Sequence, residues 1–269
     1  MALNNPAFSR DAAFSSRGGI AVANQVSNQQ LNDMYSREST PASGDVMTVE
    51  DTIAKTVGAF ALLLVGAAIS WVIAPSMPFL WIGAGIIGFV LALVNIFKKQ
   101  PSGALVLAYS AVEGVFVGGI SRFFENAYGG VVTQAVIATI VVVGVTLALF
   151  ASGKIRASKK ATKVFLIAMV GYAVFSLVNV GLMIFGGSDD AFGLRSAEIP
   201  FLGIPFGAVL GVLVVIMAAY SLVLDFDLIQ RGVANGAPRA FGWKGTFGIM
   251  VTVVWLYLEM LRFFSILRD

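Results

Sequence analysis

The chain has 269 residues, 58% of them hydrophobic and 12% charged, with no Cys and no His. Soluble domains carry roughly 25% charged residues, so 18 Lys and Arg with 15 Asp and Glu are too few for a polar shell and imply an integral membrane protein. The missing residue types exclude disulfides, thiolate or imidazole metal sites, Cys nucleophiles and Ser–His intramembrane proteolysis, and they remove the side chain that ordinarily titrates near neutrality.

Residues 1–50 are rich in Ser, Asn and Gln and hold no apolar run long enough for a signal-peptide core. They are expected to form a disordered cytoplasmic tail, followed by a membrane domain over 51–269. Phe8 or Phe14 could dock on a partner; a plain linker is the competing reading.

Residues 56–97 are uncharged and broken by Pro75 and Pro78, which predicts two spans joined by a tight turn at Ala74–Pro78. A third span is expected from about Ser102 to Ser121, with Glu113 inside it. The uncharged runs 126–153, 164–188 and 199–224 each hold one more span, the last continuing to about Gln230. A final helix is expected from about Trp243 to Leu267. These are continuous apolar runs without the two-residue alternation of a membrane barrel, so the expected fold is all-α, a polytopic bundle of seven transmembrane helices in a lipid bilayer.

The basic residues set an orientation. Lys55, Lys98, Lys99, Lys154, Arg156, Lys159, Lys160, Lys163, Arg231, Arg239 and Lys244 fall near the spans on the side of the tail, whereas Arg122, Arg195 and Arg268 fall on the other. This bias places the N-terminus in the cytoplasm. It also accounts for the pI near 9.2 as a topology signal, so no nucleic-acid partner is expected. Gly203, Gly207 and Gly211, like Gly114 and Gly118, form small-residue stripes that suit close helix packing.

Charges inside spans are costly, roughly 2.5–3.5 kcal/mol each at the bilayer centre, and here they are few: Glu113, Asp225, Asp227, Glu259 and Arg262. Glu259 and Arg262 stand at i,i+3 and can pair. Glu113 has no partner in its own helix and needs Arg262, a hydroxyl or a proton. Asp225 and Asp227 point to different faces of the sixth helix, each open to a plainer reading as a helix-end carboxylate. Carboxylate oxygens suit hard cations such as Ca²⁺, and without His any near-neutral pH response falls chiefly to these acids. No resident metal or cofactor and no catalytic residue are expected. A retinal-type buried Lys and a phosphate-binding GxxxxGK[ST] loop are both missing.

Two segments carry a resemblance. The sixth helix reads Tyr220-Ser-Leu-Val-Leu-Asp225-Phe-Asp227-Leu-Ile229, and the last contains Tyr257-Leu-Glu259-Met-Leu-Arg262-Phe-Phe264. With Val112-Glu113-Gly114 in the third span, they resemble the Bax inhibitor-1/YccA family over roughly residues 52–269, in a bacterial branch with a long polar N-terminal tail. The resemblance implies a seven-helix bundle with a central last helix, in a bacterial plasma membrane. It also implies a pH-sensitive calcium leak in which aspartates of the sixth and seventh helices control opening and a basic residue at the end of the second helix acts as a latch. Asp225 matches the sixth-helix aspartate, Lys98 or Lys99 the latch, and Arg262 the arginine of the terminal motif. Alignment on Leu261-Arg262-Phe263-Phe264 puts Thr252 where the family has its seventh-helix aspartate; alignment on Tyr257-Leu258 gives that role to Glu259. The first needs no gap at the terminal motif and is preferred, which leaves the family's acid pair incomplete in this chain. The alternative function is a non-transporting regulator that binds another membrane protein, such as a membrane protease.

Overall fold

The computed structural model describes residues 46–186, 192–200 and 202–268, so the expected tail lies outside the described residues up to position 45. Seven helices are long and apolar enough to cross a membrane: α1 Val49–Ile73, α2 Pro78–Phe97, α3 Gly103–Ala127, α4 Val131–Ala151, α5 Lys159–Phe185, α6 Phe206–Ala234 and α7 Gly242–Ile266. The protein is therefore an all-α, multi-pass membrane protein. Among the described residues, extended pairing is limited to two isolated bridges, Val46 with Pro238 and Glu198 with Pro205.

The helix ends follow local chemistry. Thr48 caps α1 by accepting from the Asp51 amide at 3.1 Å, and Glu50 and Asp51 sit in the first turn, where the helix dipole favours acid. Pro78 opens α2, as expected of a residue that lacks an N–H donor. Ser158 caps α5. The α3–α4 turn places Gly130 at φ 81°, a left-handed conformation natural to Gly. Glu125 then reaches over the start of α4 and accepts from Gly130 and Val132 at 2.6 and 3.0 Å.

The helix α7 forms the core. Some 56% of its most apolar window is buried, against 11% in α2 and in α5. It packs against α1, α3, α4 and α6, while α2 rests mainly on α3. One apolar cluster joins Ala59, Leu63, Val106, Tyr109, Phe247, Met250 and Val254; another joins Val131, Ala135, Ala218, Leu256, Met260 and Leu261. Lipid tails are as apolar as these side chains, so intimate packing rather than transfer from water favours association.

Glycines permit that approach. A Cβ on Gly114 or Gly118 would collide with the backbone of Leu63 or Ala67 in α1, and one on Gly211 would strike the Phe263 ring in α7. The stripes thus pack within the chain. Gly203 departs from the expectation that it belongs to the sixth helix: it lies before α6, with φ +59°, in a turn that ends at Pro205. One other bound moves as well. α3 continues past Ser121 to Ala127, so Arg122 is helical, and its guanidinium lies 5.2 Å from the Trp71 ring centroid.

At the α1 start, Asp51 holds Lys55 at 2.5 Å and Arg239 at 2.6 Å, and the Met47 amide donates to Ala237 at 2.7 Å. These contacts tie the beginning of the bundle to the α6–α7 connection.

Replacing Gly118 with Val should destabilise the protein by roughly 1–3 kcal/mol or more, because the obstruction is backbone that cannot give way. Gly144→Ala, whose Cβ meets nothing within 4 Å, should be neutral or stabilising by up to about 1 kcal/mol. Thermal unfolding of both variants in detergent distinguishes them.

Candidate functional site

The described structure gathers Asp225, Thr252, Glu259 and Arg262 into two clusters on α7, with Glu113 and Asp227 apart from both. The first joins α6 and α7. Thr252 donates to Asp225 Oδ2 at 2.7 Å and lies 3.2 Å from the Ser221 hydroxyl. Gly248, one turn before Thr252, leaves room for the other carboxylate oxygen: a Cβ there would sit 2.6 Å from Asp225 Oδ1. Asp225 is only partly buried and makes no ion pair among the described residues. It is a carboxylate held inside a bundle by one hydroxyl, with spare acceptor capacity.

The contact falls on the residue that the alignment on Leu261-Arg262-Phe263-Phe264 gives. Thr252, not Glu259, faces Asp225; Glu259 lies seven residues further, about 10.5 Å along the axis. Where the resemblance leads one to expect two carboxylates, this chain has a carboxylate and a hydroxyl.

The second cluster lies nearer the C-terminal end of α7, between α5, α7 and the short 3₁₀ turn Gly193–Arg195. Glu259 Oε1 accepts from Arg262 at 2.8 Å and from the Tyr172 hydroxyl. Arg195 lies 3.8 Å from Glu259 Oε2 and donates to Tyr172 at 3.1 Å and Ser176 at 3.0 Å. Arg262 also donates to Tyr172 at 3.1 Å. Glu259 therefore has its expected i,i+3 partner, plus a second guanidinium from outside the helices. A buried carboxylate with two donors on one oxygen and a guanidinium facing the other is the arrangement that makes such a charge tolerable in a low-dielectric interior.

Arg195, Tyr172, Ser176 and Thr252's neighbour Ser221 were not visible as site residues in the sequence. Arg195 reads there as a loop charge that marks topology, yet it is 6% exposed and enclosed by the Tyr172 and Phe175 rings. The available signal was Gly193, two residues before it, whose φ of +60° turns the loop inward.

The remaining candidates stand separately. Glu113, 8% exposed, points its carboxylate at Gly88 of α2 and has no hydrogen bond or ion pair among the described residues. Asp227 pairs with Arg231 at 2.6 Å, and Arg231 is 66% exposed, so this is a helix-end surface pair. Lys98 and Lys99 are exposed at the end of α2, and neither makes an ion pair with Asp225. Lys98 instead borders a shallow cleft with Asn95, Trp243 and Lys244. No group of three or more Asp or Glu among the described residues has the arrangement of a metal site.

A central helix carrying a hydroxyl against Asp225 at one level and a Glu–Arg–Tyr cluster at the next defines a polytopic membrane protein with an intramembrane polar axis. A family model described as Bax inhibitor 1 like matches residues 5–269. The chain belongs to that family, as the sixth- and seventh-helix motifs imply. No curated protein matches the sequence.

Tyr172→Phe removes one hydroxyl that serves Glu259, Arg195 and Arg262 together. It should cost about 1–3 kcal/mol, the usual penalty for stranding buried polar groups, whereas Asp227→Asn at the solvated helix end should change stability by under about 1 kcal/mol. Detergent melting curves of the two variants test the contrast.

Proposed function

We propose that the protein is a pH-sensitive cation leak with Ca²⁺ as the permeant ion, as the family resemblance implies. Asp225 is the controlling acid, Thr252 its partner, and Glu113 and the Glu259–Arg262 pair are further polar stations along the pathway. Lys98 or Lys99 serves as the latch in another state of the protein. The reading places the protein in a bacterial plasma membrane with its N-terminus in the cytoplasm.

The observation that best supports this reading is the Asp225 carboxylate, partly buried in the bundle and bound, among the described residues, by a single Thr252 hydroxyl at 2.7 Å and by no cationic side chain. An acid so placed can exchange a proton for a hard cation with little rearrangement, since carboxylate and hydroxyl oxygens both suit Ca²⁺. Permeation through such a site needs no resident metal. It needs only that binding be weak enough to release the ion.

Reconstituted into liposomes with a calcium dye, the wild type should leak Ca²⁺ at a rate that changes with pH, and Asp225→Asn should flatten that dependence. Flux no greater than that of empty vesicles would reject transport and leave the regulatory binding role as the function to pursue.

Thr252→Asp would supply a second carboxylate beside the first. Two acids that share a site titrate as a coupled pair, so the leak of this variant should respond to pH in two steps where the wild type shows one. The orientation has its own check: the chain is free of Cys, so Lys154→Cys should react with a membrane-impermeant thiol reagent only from the cytoplasmic face.

A further inference from the structure

We propose that Arg195 is a built-in counter-ion that takes the place of a permeant cation at Glu259 and plugs the end of the pathway opposite the lysine-rich face. This inference rests on the cation-leak reading and adds a residue and a gate to it.

Three observations carry it. First, Glu259 is already matched by Arg262 of its own helix at 2.8 Å and by the Tyr172 hydroxyl. Arg195 is a second positive charge on one carboxylate, at the longer distance of 3.8 Å. Its burial, to 6% exposure, carries a desolvation cost that the neutralisation of Glu259 does not require.

Second, Arg195 is not part of a membrane-spanning helix. It ends the 3₁₀ turn Gly193–Arg195, so a shift of the loop can carry its whole backbone away from the cluster, whereas Arg262 is fixed to α7 and leaves only by a change of rotamer. The buried Asn179 side chain helps fasten the turn: it donates to the Phe192 carbonyl at 3.1 Å and accepts from the Leu194 amide at 2.8 Å.

Third, the plug bridges three helices. Its guanidinium reaches Tyr172 and Ser176 of α5 and Glu259 of α7, while its backbone lies against Gly207 of α6, where a Cβ would come within 2.9 Å of the Arg195 carbonyl oxygen. A cation that approaches Glu259 from this end meets a guanidinium and must displace it.

The full-length protein in calcium-dye liposomes tests this through Arg195→Gln. Its leak should rise several-fold over wild type, Arg195→Lys should stay near wild type because it keeps the charge, and adding Glu259→Gln to Arg195→Gln should return the leak to the wild-type level or below. A second readout does not depend on flux. Ser176→Cys gives a single thiol in a Cys-free chain, and a cationic, membrane-impermeant thiol reagent should modify it several-fold faster when Arg195 is Gln. If Arg195→Gln fails to elute as folded protein, the same labelling comparison with Arg195→Lys, which loses the planar fork, should show an intermediate rate. Unchanged leak together with unchanged labelling, while Asp225→Asn still alters the pH dependence, would overturn the plug and leave the leak standing. A wild type without flux would reject the leak itself, and unchanged labelling would then reject the plug as well.

Discussion

In hydrocarbon there is no water to satisfy a polar group, so every one that α7 carries must find its partner inside the protein. The helix is central because its neighbours supply those partners at successive levels. Thr246 lies 3.1 Å from the Thr56 hydroxyl of α1, Thr252 meets Asp225 and Ser221 of α6, Tyr257 lies 2.6 Å from Ser121 of α3, and Glu259 meets Tyr172 of α5. Ser265 turns back to the Leu261 carbonyl of its own helix. Each level addresses a different neighbour, which fixes the rotation of α7 about its axis as well as its depth.

Such contacts specify more than they stabilise. Interhelical hydrogen bonds in membranes average only about 0.6 kcal/mol, because the dissociated helices find other partners in the bilayer. Cohesion comes from close approach, and the glycines that permit it sit opposite backbone or rings: Gly66, Gly114 and Gly118 between α1 and α3, Gly207 and Gly211 between α6 and α7. The two devices are complementary. Glycine lets the helices touch, and the polar ladder allows one rotational setting of the contact.

The seven spans were legible in the sequence because length and absence of charge suffice to identify a helix that must cross hydrocarbon, and the turn at Ala74–Pro78 was legible because Pro punctuates it. The i,i+3 pairing of Glu259 with Arg262 was legible for the same local reason. What escaped were contacts between distant segments. Arg195 looks in sequence like any loop arginine, since nothing local says that Asn179, more than a dozen residues earlier, draws its turn inward. Gly203 fits a helical stripe by spacing, but Pro205 and a positive φ place it in the turn before α6. Between Thr252 and Glu259, which lie on nearly the same face of one helix, the sequence favours Thr252 only because that alignment needs no gap at the terminal motif; the contact with Asp225 on α6 is what a single helix could not show.

The peripheral position of α5 has a mechanical consequence. Asn179 is its one buried residue among those described, and the helix joins the bundle through Tyr172 at its middle, through Ser176 and Asn179 toward its C-terminal end, and through Thr162, where Tyr220 lies 2.9 Å away, near its start. Its 27 residues extend about 40 Å, well beyond a hydrocarbon core of roughly 30 Å. The helix must lean or protrude, and its few contacts with the described residues, together with Lys159, Lys160 and Lys163 at its start, set the angle. A thinner or thicker bilayer therefore pulls directly on the side chains that hold Arg195 and Glu259 together, whereas α7, wrapped by four helices, is shielded from that strain.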